Sequence, residues 1–396
     1  MRFLIVFLLF ISLNAKDLKV ATYNVQNLFD LVKNGNEYKE YIPNSQSGWT
    51  EKVFLTKVHN IAKVIKDIDA DIIALEEVEN LNAARILNRA LEDKSYPYIY
   101  TFFKKGSSVG SVVFSRYQIS NKYSLHVKDF YRDIGVIKLF FDHQKLTLYV
   151  NHWPSFKNGF EARAKFAVAI RKDLKPDEES IILGDLNAPY KVRKDDWGKS
   201  ITQLLQAGKF EDDLYNLWYE VPPNKRYTYV YGRIRNALDH IIVTKNMFDN
   251  KKIEYKPKSF GVFKPKYLVD KYGFPKRWEI SKKGKHIGKG YSDHLPVYAV
   301  FQTKPYDKRK LEKVVDIRYL KKMINDLLPV VLKKVEVLRV DKYSVLIGDG
   351  SDKIKIYLPD YKFEKGKKYD ILVKEIGKYK RSVEIKLCRI LRYYGD

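Results

Sequence analysis

Six apolar runs constrain this chain more than any other feature, because each carries a polar residue at one end and that end reverses late in the sequence. Leu18 to Val25 finishes near Asn24, Asp71 to Val78 near Glu77, Lys145 to Trp153 at His152, and Ser180 to Asn187 at Asp185. Their β-branched composition predicts strands. Between the first two lies Glu51 to Ile68, with Phe54, Val58, Ile61, Ala62, Ile65 and Ile68 at helical spacing, and between the last two lies Phe160 to Leu174, which reads likewise. Strand, helix, strand is a right-handed crossover that places its two strands parallel. The last two runs, Asp239 to Thr244 and Asp293 to Phe301, instead open on their polar residue. If they run antiparallel to the first four, every polar end falls on one rim of the sheets.

The chemistry gathered on such a rim is specific. In Gly184-Asp185-Leu186-Asn187 a tight turn delivers a carboxylate and an amide, two residues apart, to the same side of a strand end. Asp293-His294 adds an imidazole, the group suited near neutrality to proton transfer or to a charged phosphate contact. Together they point to metal-assisted phosphodiester chemistry. One Asp-His alone is explained as well by a turn with a surface imidazole. His59, His126, His143, His240 and His286 read as structural or surface residues. Glu77 follows the apolar Ile72-Ile73-Ala74-Leu75, where an unpaired charge is costly, so it reads as a ligand. Glu76 reads as part of a solvated strand end.

Six words occur in order: Tyr23-Asn24-Val25, Leu75-Glu76-Glu77-Val78, Asn151-His152-Trp153-Pro154, Gly184-Asp185-Leu186-Asn187, Leu238-Asp239-His240-Ile241 and Ser292-Asp293-His294-Leu295-Pro296. Over roughly residues 17 to 303 the chain thereby resembles the endonuclease/exonuclease/phosphatase superfamily, the deoxyribonuclease I-like fold. The resemblance implies a four-layer α/β/β/α sandwich of two mixed sheets. It implies that Asn24, Glu77 and Asp293 hold Mg²⁺ or Mn²⁺, with Ca²⁺ as an alternative, since hard cations take oxygen ligands. It assigns Asp185 to the attacking water, Asn187 to the phosphoryl oxygens, His294 held by Asp239 to base or phosphate-stabilising work, and His152 to the phosphate or leaving oxygen. Phe130-Tyr131-Arg132-Asp133 is similar to a Phe-x-Arg-acidic segment of the deoxyribonucleases, so Asp133 is expected to partner His152 and Arg132 to touch phosphate. Arg116 and Arg163 are further candidates for phosphate, although a surface arginine explains either nearly as well.

Composition narrows the partner. A formal net charge of +26 favours polyanions. The stretch Lys251 to Lys289 carries about ten more basic than acidic residues, mixed with Tyr255, Phe260, Phe263, Tyr267, Tyr272, Phe274 and Trp278, and it interrupts the core between Asp239 and Asp293. Such an insertion should sit beside the catalytic rim, where cations neutralise phosphates and rings stack on bases. Residues 311–396 hold no catalytic word and are again basic. After a helix near Val314 to Leu328, strands are expected near Val330 to Val340, Tyr343 to Ile347, Lys353 to Leu358, Lys368 to Ile376 and Val383 to Leu391. Five short strands suggest a small OB-like barrel that binds nucleic acid.

The expected domains are a signal peptide over 1–15, a catalytic domain over 16–303, a linker over 304–310 and the OB-like domain over 311–396. Met1-Arg2 followed by the apolar Phe3 to Leu13, with Ala15 at the cleavage position, reads as a secretory signal too short to remain as an anchor. Cys388 is the single cysteine, so no disulfide supports the exported chain. The expected protein is a periplasmic or secreted monomer, a divalent-metal-dependent nuclease of DNA. A phosphodiesterase for phospholipid or sphingomyelin head groups would favour an apolar hairpin at the rim, and a non-catalytic nucleic-acid binder would not need intact catalytic words.

Overall fold

The computed structural model describes residues 16–175, 177–190, 204–205, 214–249, 251–303, 313–323, 330–357, 359, 362–380 and 382–394. The expected signal segment 1–15 and linker 304–310 lie outside the described residues.

One sheet has the order β13 (Glu254–Tyr255), β15 (Val297–Gln302), β1 (Asp17–Leu28), β2 (Ile72–Val78), β4 (Gly110–Ser115) and β3 (Tyr98–Phe102), with β14 (Gly261–Val262) also paired to β15. The other has the order β5 (Ile119–Leu125), β6 (Ile134–Phe141), β7 (Gln144–His152), β8 (Ser180–Asp185), β12 (Asp239–Thr244) and β9 (Leu214–Asn216). A ribbon of β10 (Tyr229–Tyr231) and β11 (Ile234–Asn236) leads into β12. Strands β1 and β2 are parallel, as are β7 and β8, each pair joined by a helix: α1 (Glu51–Ile68) and α3 (Gly159–Asp173). Strand β12 runs antiparallel to β8, and β15 antiparallel to β1. The polar strand ends therefore meet on one rim. Strand β15 begins only at Val297, so Asp293 and His294 sit on the loop before it and not on the strand.

Alternation along the strands builds the layers. On β2, Ile73 and Leu75 face the core with Phe54, Val58, Ile61 and Ile65 of α1, while Ile72 and Ala74 face the second sheet. On β8, Ile181 and Leu183 meet the first sheet, and Ile182 packs on Phe166, Ala167 and Ile170 of α3. Helix, sheet, sheet, helix is the four-layer sandwich. Helix α1 stops where Asp69 turns left-handed (φ 51°), its backbone N–H bonding the Ile65 carbonyl. Helix α2 (Leu81–Arg89) starts at Asn80, whose side chain accepts from the Ala83 N–H.

The C-terminal strands form a third sheet with its own core, which includes Val330, Val345, Ile347, Ile356, Ile371 and Ile385. Its order is β16 (Lys313–Val314), β17 (Val330–Asp341), β18 (Ser344–Gly348), β19 (Lys353–Tyr357), β21 (Ser382–Tyr394) and β20 (Lys368–Tyr379), and β20 also pairs with β17. The first half of β17 pairs with β20 and its second half with β18, with register shifts between Leu332 and Val335 and between Val337 and Arg339. Bulges bend a strand, which lets one strand serve two neighbours and bring the pairing round in a ring. The helix expected from Val314 to Leu328 is instead strand at Lys313–Val314 and a single helical turn, Ile317–Leu320, capped by Asp316. Residues 324–329 lie outside the described residues.

Candidate active site

Two sheets contribute to the rim. Strand β1 brings Asn24, whose amide donates to Glu77 at 3.1 Å and to Asp185 at 3.1 Å. Glu77, next to last in β2, has φ 65°, and the β1–β2 register shifts beside it, a bulge that re-aims the side chain. From the second sheet, β7 supplies His152 and β8 supplies Asp185, which lie side by side in parallel register. Strand β12 places Asp239 directly across from Asp185. Close approach of β7 and β8 needs Gly184: at φ 127°, a Cβ there would lie 2.0 Å from the Asn151 carbonyl oxygen.

Asp185 is held at its Oδ1 by the Asn187 backbone N–H (2.9 Å), and the Asn187 amide reaches its Oδ2 (3.2 Å) and the Trp153 carbonyl (3.0 Å). Burial, reinforced by the charges of Asp239 and Glu77, pushes the Asp185 carboxyl up to about 7. His294 Nδ1 lies 2.8 Å from Asp239, and its Nε2 lies 3.9 Å from Asp185. Burial alone would favour the neutral ring, but the Asp239 and Asp185 carboxylates outweigh it and hold His294 well above the usual histidine range. Its backbone is fixed by Ser292, which accepts from the His294 N–H and donates to the Asn24 carbonyl. Tyr229 tilts over the ring at 4.9 Å.

His152 differs. Burial and then the charges of Arg132 and His294 hold it well below the usual range, so it is neutral. Arg132 lies 3.0 Å from Nε2, and since arginine can only donate, Nε2 accepts and the ring proton sits on Nδ1, which is buried without a hydrogen-bond partner among the described residues. Glu77 and Asp185 lie 3.6 and 3.8 Å from the same Nε2.

Three candidates fall elsewhere. Asp133 does not partner His152: it pairs with Lys104 (3.2 Å) and His126 (3.1 Å). Arg116 bridges Asp69 and Asp71, beside the start of β2, at the end of the sheet away from Glu77. Arg163 is buried, donates to the Ser155 carbonyl and lies over Phe156, bracing the loop that follows His152. Glu76 is not a solvated strand end: it is fully buried, accepts from Thr22, and burial drives its carboxyl well above the usual range. Sequence reasoning also missed Gln26, which clasps the basic insertion through its amide, accepting from the Trp278 N–H (2.8 Å) and donating to the Trp278 carbonyl (3.2 Å). The insertion's Tyr255, Phe260 and Trp278 are core residues, not surface rings. Its Arg277 reaches Asp293 at 3.5 Å, and with Lys282 it lines a cleft of about 460 Å³ shared by Glu77, Asp293, Asn27 and Tyr41.

The donor set suits a hard divalent ion. Glu77 and Asp293 open onto the cleft, and Asn24 and Asp185 adjoin them. A cation beside the buried Asp185 carboxyl would offset the burial, and the charges of Asp239 and Glu77, that raise it. Asp185, Asp239 and His294 also offer ligand atoms within 4.8 Å of one another. His294, held cationic by Asp239 and Asp185, has no lone pair to offer an ion, so we read that trio as a carboxylate-held histidine beside Asp185. Among the described residues no helix is long and apolar enough to cross a membrane.

No curated protein matches the sequence. Among solved structures, the chain is similar to an endonuclease/exonuclease/phosphatase from Beutenbergia cavernae (15% identity, covering 91% of this chain and 82% of that one, TM-score 0.51). It is also similar to a family protein from Bacteroides thetaiotaomicron (17%, covering 74% and 99%, TM-score 0.47). A third is D. rerio TDP2 complexed with a single strand DNA product (16%, covering 72% and 98%, TM-score 0.46). At these identities the likeness concerns the fold. The model of the endonuclease/exonuclease/phosphatase family matches residues 19–303, well over half of the sequence. The chain belongs to the endonuclease/exonuclease/phosphatase family of phosphodiesterase-type hydrolases.

Proposed function

We propose that this protein is an exported nuclease that hydrolyses phosphodiester bonds of DNA with Mg²⁺ or Mn²⁺. The observation that carries the reading is the convergence of Asn24, Glu77, His152, Asp185 and the Asp239-held His294 on one rim, beside a basic insertion clasped by Gln26. Members of the family generally use divalent metals.

Glu77 and Asp293, aided by Asn24, would hold the ion, which supplies Lewis-acid polarisation of the scissile phosphate. Asp185 orients a water for in-line attack and takes its proton, a task matched to a carboxyl whose affinity for protons is raised toward neutrality. His294, kept cationic by Asp239, stabilises charge on the phosphoryl oxygens. Neutral His152 and the adjacent Arg132 face the same phosphate from the second sheet. Arg277 and Lys282 draw the polyanion into the cleft. Export rests on the N-terminal basic and apolar segment. The separate core of the third sheet and its ring of pairings support a division into a catalytic domain over 16–303 and an OB-like domain over 311–396.

Plasmid nicking, assayed against release of phosphocholine from sphingomyelin or phosphatidylcholine vesicles, tests the reading, each with and without EDTA. Metal-dependent nicking without head-group release is expected. Head-group release with intact plasmid would replace the nuclease reading with the lipid one.

A further inference from the structure

We propose that the outward face of β18, β19, β21 and the end of β20 binds single-stranded nucleic acid by stacking bases on Tyr343, Tyr357 and Tyr379. The proposal goes beyond catalysis, but it shares the nucleic-acid partner of the reading above.

Strand β19 alternates strictly: Ile354 and Ile356 are buried, while Lys353, Lys355 and Tyr357 are exposed. The outer row is thus two cations and a ring, where a solvated strand of a structural sheet needs only polarity. The strand pairings place the other two rings at opposite ends of this row. Ser344 is the register partner of Tyr357, so the β17–β18 turn bearing Tyr343 lies beside Tyr357. Lys355 pairs with Glu384 in parallel register, so the start of β21 lies beside the start of β19, and across β21 from it Ser382 pairs with Tyr379, the last residue of β20. The row from Lys353 to Tyr357 spans about 13 Å at the usual strand rise.

All three tyrosines are exposed, at 55, 41 and 58% of their surface, and each has a lysine over its ring. Lys342 lies 5.0 Å from Tyr343, Lys386 4.6 Å from Tyr357 and Lys380 5.7 Å from Tyr379. Exposed rings in three separate places, each carrying a cation, are the two components of single-strand recognition: a stacking surface and a phosphate partner. A base stacks on tyrosine more strongly than a hydrated ammonium does, so an arriving strand displaces each lysine from the ring, and the lysine then meets the adjoining phosphate. The strand order, with β19 and β21 parallel within a ring of pairings, fits an OB-like surface, whose oligonucleotide face lies on the second and third strands.

The test uses the full chain in EDTA, so that binding is read without cleavage. Anisotropy of a fluorescein-labelled 30-nucleotide oligo(dT) should show the triple variant Tyr343→Ala/Tyr357→Ala/Tyr379→Ala binding at least about tenfold more weakly. The triple phenylalanine variant should retain wild-type affinity, because stacking needs the ring and not the hydroxyl. Hydrolysis of bis(4-nitrophenyl) phosphate with Mg²⁺ should be unchanged in both, since the substrate is too small to reach the face. Unchanged oligo(dT) affinity in the alanine variant would overturn the proposal. So would equal competition by duplex DNA, or displacement of oligo(dT) by phosphatidylglycerol vesicles with the same tyrosine dependence. If the wild type cleaves no nucleic acid and yet binds oligo(dT) through these rings, the nuclease reading falls and this one stands.

Discussion

His152 and His294 are both buried and both approach Asp185 Oδ2, at 3.8 and 3.9 Å, yet they carry different charge states. His294 faces two carboxylates and is held cationic. His152 faces a guanidinium and is held neutral. Burial pushes both toward neutrality, so the neighbour decides, and the chain obtains two chemically different groups from one residue type. A cation suits charge on the phosphoryl oxygens, and a neutral ring suits a hydrogen bond that no strong field has committed.

The largest expected effect comes from removing the cationic member. His294→Ala or Asp185→Ala should lower nuclease turnover by at least about a hundredfold, as loss of a general base or charge-stabilising group typically does. Near-normal turnover in a folded His294→Ala protein would end its assignment. Asp239→Asn should cost about ten- to a hundredfold, since it leaves the ring in place and removes the carboxylate that keeps it charged. If its pH–rate profile matches that of the wild type, the two histidines do not differ for the reason given. Glu77→Gln should shift the Mg²⁺ titration to higher concentration while leaving the saturated rate nearer to wild type, because one anionic ligand becomes neutral. An unchanged titration removes Glu77 from the ligand set.

The smallest effect, in thermal stability without metal, separates the two rings by sign. His294 has a raised folded pKa, so its contribution is fully present below the unfolded value and is lost as pH rises through the folded one. His152 has a lowered folded pKa, so acidification below the unfolded value costs stability, because the unfolded chain takes up a proton that the buried ring refuses. The Tm cost of His294→Gln should therefore shrink at high pH, and that of His152→Gln should shrink at low pH. Parallel pH curves for the two variants would contradict the opposed charge states. Asp185, raised to about 7, loses stability as pH climbs from its unfolded value to 7, so Mg²⁺ should raise Tm more at pH 8 than at pH 5.

The convergence of the strand ends was legible because two-residue periodicity and strand direction are local properties. The crossover helices fixed two parallel pairs, and reversal of the polar end predicted the two antiparallel ones. Parity failed at Glu76, because β2 is buried on both faces and both alternating positions are interior. Asp133 and Arg116 pair with Lys104 and Asp69, which are far from them in sequence, so no local pattern shows those contacts, while Arg163 is taken up by the Ser155 carbonyl and the Phe156 ring. The rings of the insertion were read as exposed when three are core. In the C-terminal segment the turn residues fixed the five strands to within a few positions. Of the helix expected from Val314 to Leu328, the described residues show strand pairing at Val314 and one helical turn at Ile317–Leu320, since a short apolar run does not distinguish helix from strand.

The rim draws on both sheets, with Asn24 and Glu77 on one, His152, Asp185 and Asp239 on the other, and His294 arriving last on the loop before β15. During synthesis the order matters. A ribosome that has released the chain only as far as β12 has made both sheets' inner strands but neither Asp293 nor His294, and β1 still lacks its antiparallel neighbour. The candidate site is therefore completed in one late step, when residues 292–302 bring His294 to the rim and give β1 its antiparallel neighbour, so a chain truncated before residue 292 lacks a complete rim.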